Sequence, residues 1–215
     1  MTRKQLFKNI LTRFQEIMPV AETELNYRNS FELLVAVILS AQCSDRRVNM
    51  VTPQLFERFP SVETLAEATH EEVFELIRSC SYPNNKTRHL VGMAQALIKK
   101  HGGIVPYDVD DLMRLPGVGR KTANVVASVV YNQPTLAVDR HVFRVSKRMG
   151  LVQNAKTPLD VETQLTKYIP ENLRSIAHHW LILHGRYVCT ARSPKCEKCQ
   201  FTEWCKHYLT SSQKC

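Results

Sequence analysis

Apolar residues recur along this chain at helical intervals almost without a break. Phe7, Ile10, Leu11, Phe14 and Ile17 fall on one face of a first helix, because positions three and four apart share a side. Asn29 followed by Glu32 has the form of a capping box and opens an apolar helix over 31–39. Val48, Val51 and Leu55 mark another helix, and Thr69 with Glu72 caps one carrying Val73, Phe74 and Ile77. Leu90, Val91, Ala94, Leu97 and Ile98 mark the next, which Gly102-Gly103 ends. Thr157-Pro158 starts a later helix with Pro in its first turn, and 176–184 is helical and mostly apolar. Strand signals are nearly absent, since the β-branched run 125–130 continues a helical pattern without flanking turns. The pattern predicts an all-α chain in two compact lobes, with a boundary near Asn132-Gln133-Pro134, where a helix must end.

Composition narrows the partners. The chain has 215 residues, 44% of them apolar, enough for one large or two small cores. No apolar stretch reaches the ~18 residues that span a bilayer. The N-terminus lacks the apolar block of a secretory signal. A cytoplasmic protein without a membrane partner is expected. Lys and Arg number 29 against 20 Asp and Glu, a formal charge of +9. That surplus favours a polyanion, because each phosphate neutralised releases condensed counterions.

The most informative segment runs from Leu112 through Leu115-Pro-Gly-Val-Gly-Arg-Lys121 to Val126. A short helix ending near Arg114, a tight turn and a second helix starting near Arg120 form a hairpin at about 109–130. Gly117 and Gly119 permit backbone angles and close approaches that side chains block. The first turn of the second helix leaves backbone N–H groups without partners, which together with the helix dipole makes an anion site. Gly117, Val118, Gly119 and Arg120 are therefore the candidates for holding a DNA backbone, with turn carbonyls able to bind a monovalent cation. Such contacts position a protein on DNA without reading sequence.

Of seven cysteines, Cys189, Cys196, Cys199 and Cys205 crowd into one segment. Four thiolates joined by short loops suit one metal centre, either Zn²⁺ or a [4Fe–4S] cluster. The loop between the first two carries Arg192 and Lys195, which can present positive charge to DNA. The first helix is a reasonable packing partner for this tail, making the second lobe discontinuous in sequence. Cys43 and Cys80 read as small buried hydrophobes. His178, His179 and His184 lack the offsets of a metal pair and read as packing or surface residues, and Asp45 reads as a helix cap.

These segments resemble the helix-hairpin-helix DNA glycosylase superfamily, and within it the endonuclease III family. The likeness covers nearly the whole chain: Thr23-Glu-Leu-Asn, Leu39-Ser-Ala-Gln-Cys-Ser-Asp45, the hairpin, Val138-Asp-Arg-His-Val-Phe-Arg144, His179-Trp-Leu-Ile-Leu-His-Gly-Arg186 and the cysteine spacing 6-2-5. It implies a six-helix barrel lobe over 23–133, an iron–sulfur lobe formed by 1–22 and 134–215, and a [4Fe–4S] cluster on the cysteine quartet. It further implies a monomer acting on damaged double-stranded DNA in base excision repair. The implied reaction is removal of oxidised pyrimidines and cleavage 3′ to the abasic site by β-elimination. A monofunctional or mismatch-directed glycosylase, or a noncatalytic DNA-binding module with a structural metal, are the alternatives.

The resemblance places the nucleophilic lysine at Lys121 and the catalytic carboxylate at Asp139. A free lysine titrates at about 10.4, so its amine must be favoured by desolvation or nearby positive charge. Arg120 and the positive helix end both push that way. Asp139 precedes a helical pattern, as a helix cap does. The resemblance also gives Gln42 the gap left by an extruded nucleotide. Tyr82 stands where the family has a leucine wedge, Cys43-Ser44 replaces a typical Ala-Thr, and Arg140 replaces the usual threonine after the carboxylate.

Overall fold

The computed structural model describes residues 1–211. Among them every regular element is a helix: α1 (Arg3–Ile17), α2 (Ser30–Ser40), α3 (Asp45–Arg58), α4 (Val62–Ala66), α5 (His70–Ile77), α6 (Pro83–His101), α7 (Val109–Met113), α8 (Arg120–Tyr131), α9 (Arg140–Met149), α10 (Pro158–Thr166), α11 (Arg174–Tyr187) and α12 (Lys206–Ser211). Contacts divide the chain into two compact units, Glu24–Asn132 and Met1–Thr23 with Gln133–Cys215.

In the unit of residues 24–132, α2 is the central rod. Every residue from Phe31 to Leu39 is buried, as befits a helix apolar on all sides. It packs against α3, α6 and α8, while α4 and α5 cover α6. The Lys86 ammonium, on α6, donates to the Leu39 carbonyl at 2.8 Å and so closes the end of α2. At the start of α2 the predicted capping box is only half formed. The Asn29 side chain accepts from the Glu32 N–H at 2.9 Å, but the Glu32 carboxylate turns to Arg28 instead. It accepts from the Arg28 backbone at 2.7 Å and from its guanidinium at 2.6 Å. A buried carboxylate needs a charged partner, and that need outweighs the reciprocal cap. The Thr69–Glu72 box forms in full, and so does one between Ser61 and Thr64. Ser44, not Asp45, caps α3. At the far end Asn132 takes a left-handed conformation that terminates α8, a conformation asparagine tolerates well.

The other unit is discontinuous. Phe7, Ile10, Leu11 and Phe14 of α1 join Val142, Val145 and Met149 of α9 and Trp180 of α11 in one core. Phe14 stacks on Trp180 with ring centroids 5.5 Å apart and meets Phe201 of the C-terminal tail at 4.3 Å. The Trp180 indole donates to the Met18 carbonyl at 2.7 Å, which satisfies its only polar atom. Ile17, in the last turn of α1, is exposed and off this face. None of the three histidines is at the surface: His178, His179 and His184 are all buried. Burial pushes His179 and His184 down to about 4, so both are neutral packing groups.

Candidate functional site

The hairpin is formed by α7, a turn and α8. Its turn sits on α6, where Pro116 covers Gly92 and Gly117 covers His89. A Cβ on Gly117 would lie 2.7 Å from His89 Cβ, and its φ of 79° is left-handed. Glycine is required there on both counts. Gly119 differs from the expectation. Its φ is −92°, and a Cβ would meet nothing within 4 Å. No internal contact demands glycine at 119, and the space in front of it is open. Gly119 caps α8 without a side-chain hydrogen bond, so the first-turn amides are not closed off by a cap. Val118 gives its side chain to the core and its N–H to the Leu115 carbonyl at 3.1 Å. Its amide is thereby already engaged. Arg120 and Lys121 are exposed beside these amides.

Gly117→Ala is expected to cost about 1–3 kcal/mol of stability from strain and crowding. Gly119→Ala is expected to cost about 1 kcal/mol or less. Denaturant unfolding distinguishes them, while both weaken duplex binding.

A second assembly in the same unit joins two turns far apart in sequence. Gln42 and Tyr82 both have left-handed backbones, with φ of 54° and 57°. Neither residue type favours that region, and strain of this kind concentrates where a side chain must be aimed. The Ser81 hydroxyl donates to the Gln42 carbonyl at 2.8 Å, holding the turns side by side. Both side chains are exposed, Tyr82 to 61%. An isolated exposed aromatic on a strained turn fills no core.

In the discontinuous unit, Asp139 is the N-cap of α9. Its Oδ1 accepts from the His141 and Val142 N–H groups, each at 2.8 Å. One carboxylate oxygen is thereby engaged, and the residue is half-buried. Arg140 next to it is exposed and donates to the His141 ring at 3.4 Å. Burial pulls the His141 imidazole below its ordinary range, against the opposing pull of Asp139.

The same helix carries two arginines that sequence reasoning missed. The Arg144 guanidinium donates to the carbonyls of Gly185 at 2.8 Å and Cys189 at 3.1 Å. One turn later Arg148 donates to the Thr190 and Ala191 carbonyls at 2.6 and 2.8 Å and to Cys189 Sγ at 3.5 Å. Together they clasp the start of the cysteine loop. Cys189, Cys196, Cys199 and Cys205 border one cavity of about 340 Å³, measured with its open mouth. Burial pushes the Cys199 thiol up to about 11, and its three companion thiols add to the shift. Burial likewise pushes the Cys205 thiol up. Arg192 and Lys195 are exposed on the loop between the first two cysteines.

Comparison with known proteins gives this geometry its context. A family model described as HhH-GPD superfamily base excision DNA repair protein matches residues 35–171. Endonuclease III of Rickettsia prowazekii (strain Madrid E) is 44% identical over 207 residues, covering 96% of this chain and 97% of the relative. This chain belongs to the endonuclease III family. Endonuclease III of Escherichia coli (strain K12) is 42% identical over 198 residues, 92% of this chain and 93% of that protein. The structure of a trapped endonuclease III–DNA covalent intermediate superposes with a TM-score of 0.93 at 45% identity, covering 99% of this chain and all (100%) of that one. A thermostable thymine-DNA glycosylase, 20% identical with a TM-score of 0.85, shares the fold.

A further model, the iron–sulfur binding domain of endonuclease III, matches residues 189–205, a span that begins and ends on members of the quartet. The cofactor of this endonuclease III family member is a [4Fe–4S] cluster. The residues fit it: four thiols around a shared cavity suit iron, whose binding replaces their protons. Among the described residues no three His, Cys, Asp or Glu side chains converge on a single-ion site. With the loop clasped by Arg148, Arg148→Met is expected to lower iron retention about 10- to 100-fold. Iron per protein after dialysis against a chelator measures it.

Of the residues singled out in the sequence, Gly117 to Lys121 share one hairpin, Gln42 and Tyr82 share one pair of turns, and the cysteines share one cavity. Lys121 belongs to one unit and Asp139 to the other. His89, Ser81, Arg144 and Arg148 were not anticipated. Their roles depend on partners 28 to 45 positions away, and no local pattern marks such pairs.

Proposed function

We infer that this protein is a bifunctional DNA N-glycosylase and abasic-site lyase of base excision repair, acting on oxidised pyrimidines in damaged double-stranded DNA. The observation that carries the reading is Lys121: an exposed amine one residue into a helix whose first turn is uncapped, beside Gly119 and Arg120. The chemistry needs an amine that reaches an extruded nucleotide. Lys121 attacks C1′ of the deoxyribose, the base leaves, and an imine forms. The imine acidifies the C2′ proton, and β-elimination breaks the strand 3′ to the site. Since Lys121 is exposed, the desolvation that favours a neutral amine is supplied by the bound DNA. Asp139 is the carboxylate that stabilises positive charge developing on the sugar and helps free the lysine amine.

Gly117, Val118, Gly119 and Arg120 hold a phosphate of the backbone, with a monovalent cation on the turn carbonyls. Gln42 and Tyr82 fill the duplex where the nucleotide has left, and Arg192 and Lys195 add backbone contacts from the cysteine loop. Cys189, Cys196, Cys199 and Cys205 are the cluster ligands. The unit of residues 24–132 corresponds to the six-helix barrel lobe and the remainder to the iron–sulfur lobe. The protein works as a cytoplasmic monomer.

The test is a panel of duplexes carrying defined lesions, incubated with borohydride. A duplex bearing thymine glycol is expected to yield a covalent protein–DNA adduct. Base release from the same duplex with no adduct would establish the monofunctional reading instead.

A further inference from the structure

Two thiols that this chemistry leaves unused lie at the foot of the paired turns. Cys43 directly follows Gln42, and Cys80 directly precedes Ser81 and Tyr82. Both are free thiols; Cys43 is half-buried and Cys80 is 3% exposed. Their backbones are fixed, the Cys43 N–H on the Ser40 carbonyl at 3.1 Å and the Cys80 N–H on the Ile77 carbonyl at 2.8 Å. The Ser81–Gln42 hydrogen bond brings the two chain segments together, which sets Cys43 and Cys80 one residue away on either side of it, close enough for the charge of one to act on the other. Beside them lies the buried Lys86 ammonium, held on Leu39. Burial and the neighbouring Cys43 push the Cys80 thiol up to about 11, and the charges of Lys86 and Arg47 offset this only in part, so the half-buried Cys43 is the thiol that reacts first and Cys80 the one that resolves. One reachable thiol and one enclosed thiol, flanking the hydrogen bond that joins the two turns, have the exposure of an attacking and a resolving cysteine. Cys43 is also a position where this chain departs from the usual family alanine.

We propose that Cys43 and Cys80 form a reversible disulfide that ties the Gln42 turn to the Tyr82 turn and weakens the grip on damaged DNA. The co-reactant is a hydroperoxide, hydrogen peroxide in the simplest case. The Cys43 thiolate attacks one peroxide oxygen, the O–O bond breaks, and the departing hydroxide takes up the thiol proton as water. The Cys80 sulfur then attacks the resulting sulfenic acid at sulfur. The S–O bond breaks, and a second water leaves with the Cys80 proton. The two thiols lose two electrons in all, and the peroxide gains them. A disulfide sets the Cα–Cα separation of its residues at about 4.4–6.8 Å. The spacing of the turns is then fixed by a covalent bond instead of by the adaptable Ser81 hydroxyl.

The effect on DNA rests on the reading that Gln42 and Tyr82 fill the duplex; the formation of the bond does not. The cluster-loaded protein is treated with low hydrogen peroxide while absorbance near about 410 nm confirms that the cluster survives. Unreduced peptide mapping is expected to join the peptides carrying Cys43 and Cys80, two hydrogens lighter than their sum. Affinity for an abasic-analogue duplex is expected to fall roughly tenfold and to recover with dithiothreitol. Cys43→Ala keeps the reduced affinity and loses both responses. Oxidation of Cys43 to a sulfinic acid with Cys80 untouched overturns the proposal, and so does a disulfide that leaves affinity unchanged. The variants Gln42→Ala and Tyr82→Ala separate the two ideas. Unchanged affinity in both removes the duplex-filling reading. Lowered affinity in both, with thiols that never join, removes the disulfide alone.

Discussion

Lys121→Gln is expected to bind abasic-site DNA within a few-fold of the unaltered protein yet to lose strand scission by on the order of 10⁴-fold or more, the scale on which a covalent nucleophile is missed. Binding survives because the amides at the start of α8 and the turn on α6 are built from backbone, and position 121 is exposed. Glutamine keeps a long polar side chain, one atom shorter and uncharged, but has no amine to form an imine. Gel analysis after borohydride checks both halves: no adduct, and undiminished retardation of the duplex. If Lys121 served only to contact phosphate, scission would fall in step with affinity. An adduct that persisted in Lys121→Gln would move the nucleophile to another lysine.

The second large effect is expected from Asp139→Asn. The Oδ1 atom that accepts the His141 and Val142 N–H groups has an equivalent in asparagine, and both residues are good N-caps. The start of α9 is therefore retained and thermal unfolding barely moves. The negative charge is lost, and base removal from an oxidised duplex is expected to fall about 10²- to 10⁴-fold, the range for a positioned acid–base group. A purely structural cap predicts near-normal turnover from Asp139→Asn. Asp139→Ala would not discriminate, because it removes cap and charge together.

Much of this was legible from the sequence, because the relevant physics is local. A Gly-rich turn running into a helix leaves its first amides without a side-chain cap within a few residues, and four closely spaced cysteines need no distant partner to suggest a metal. Helix periods follow from the same short range. The misreadings arose where a residue had a better partner elsewhere. Glu32 abandoned its cap for Arg28 because it is buried. Ile17 fits the period of α1 but is exposed, and Met18 just after it packs on the core instead. The Ser61 box escaped notice because its third helical residue is Thr64, not Glu or Gln. Gly117 and Gly119 look alike in the sequence; His89 beneath the first and its left-handed φ separate a glycine needed by the fold from one with open space before it. The arginine clasp lay beyond reach altogether, since Arg148 meets Thr190 across 42 positions.

That clasp makes α9 a mechanical link. The helix has 10 residues, about 15 Å of stiff rod. Its leading end is the carboxylate, and its trailing half grips the loop that bears the first thiol. Stripping out the iron is expected to loosen that loop and, through Arg144 and Arg148, the anchorage of α9 along one side. On the roles proposed for Asp139 and the cysteine loop, removing the iron is then expected to lower base removal as well as DNA binding, the two being joined through a single helix.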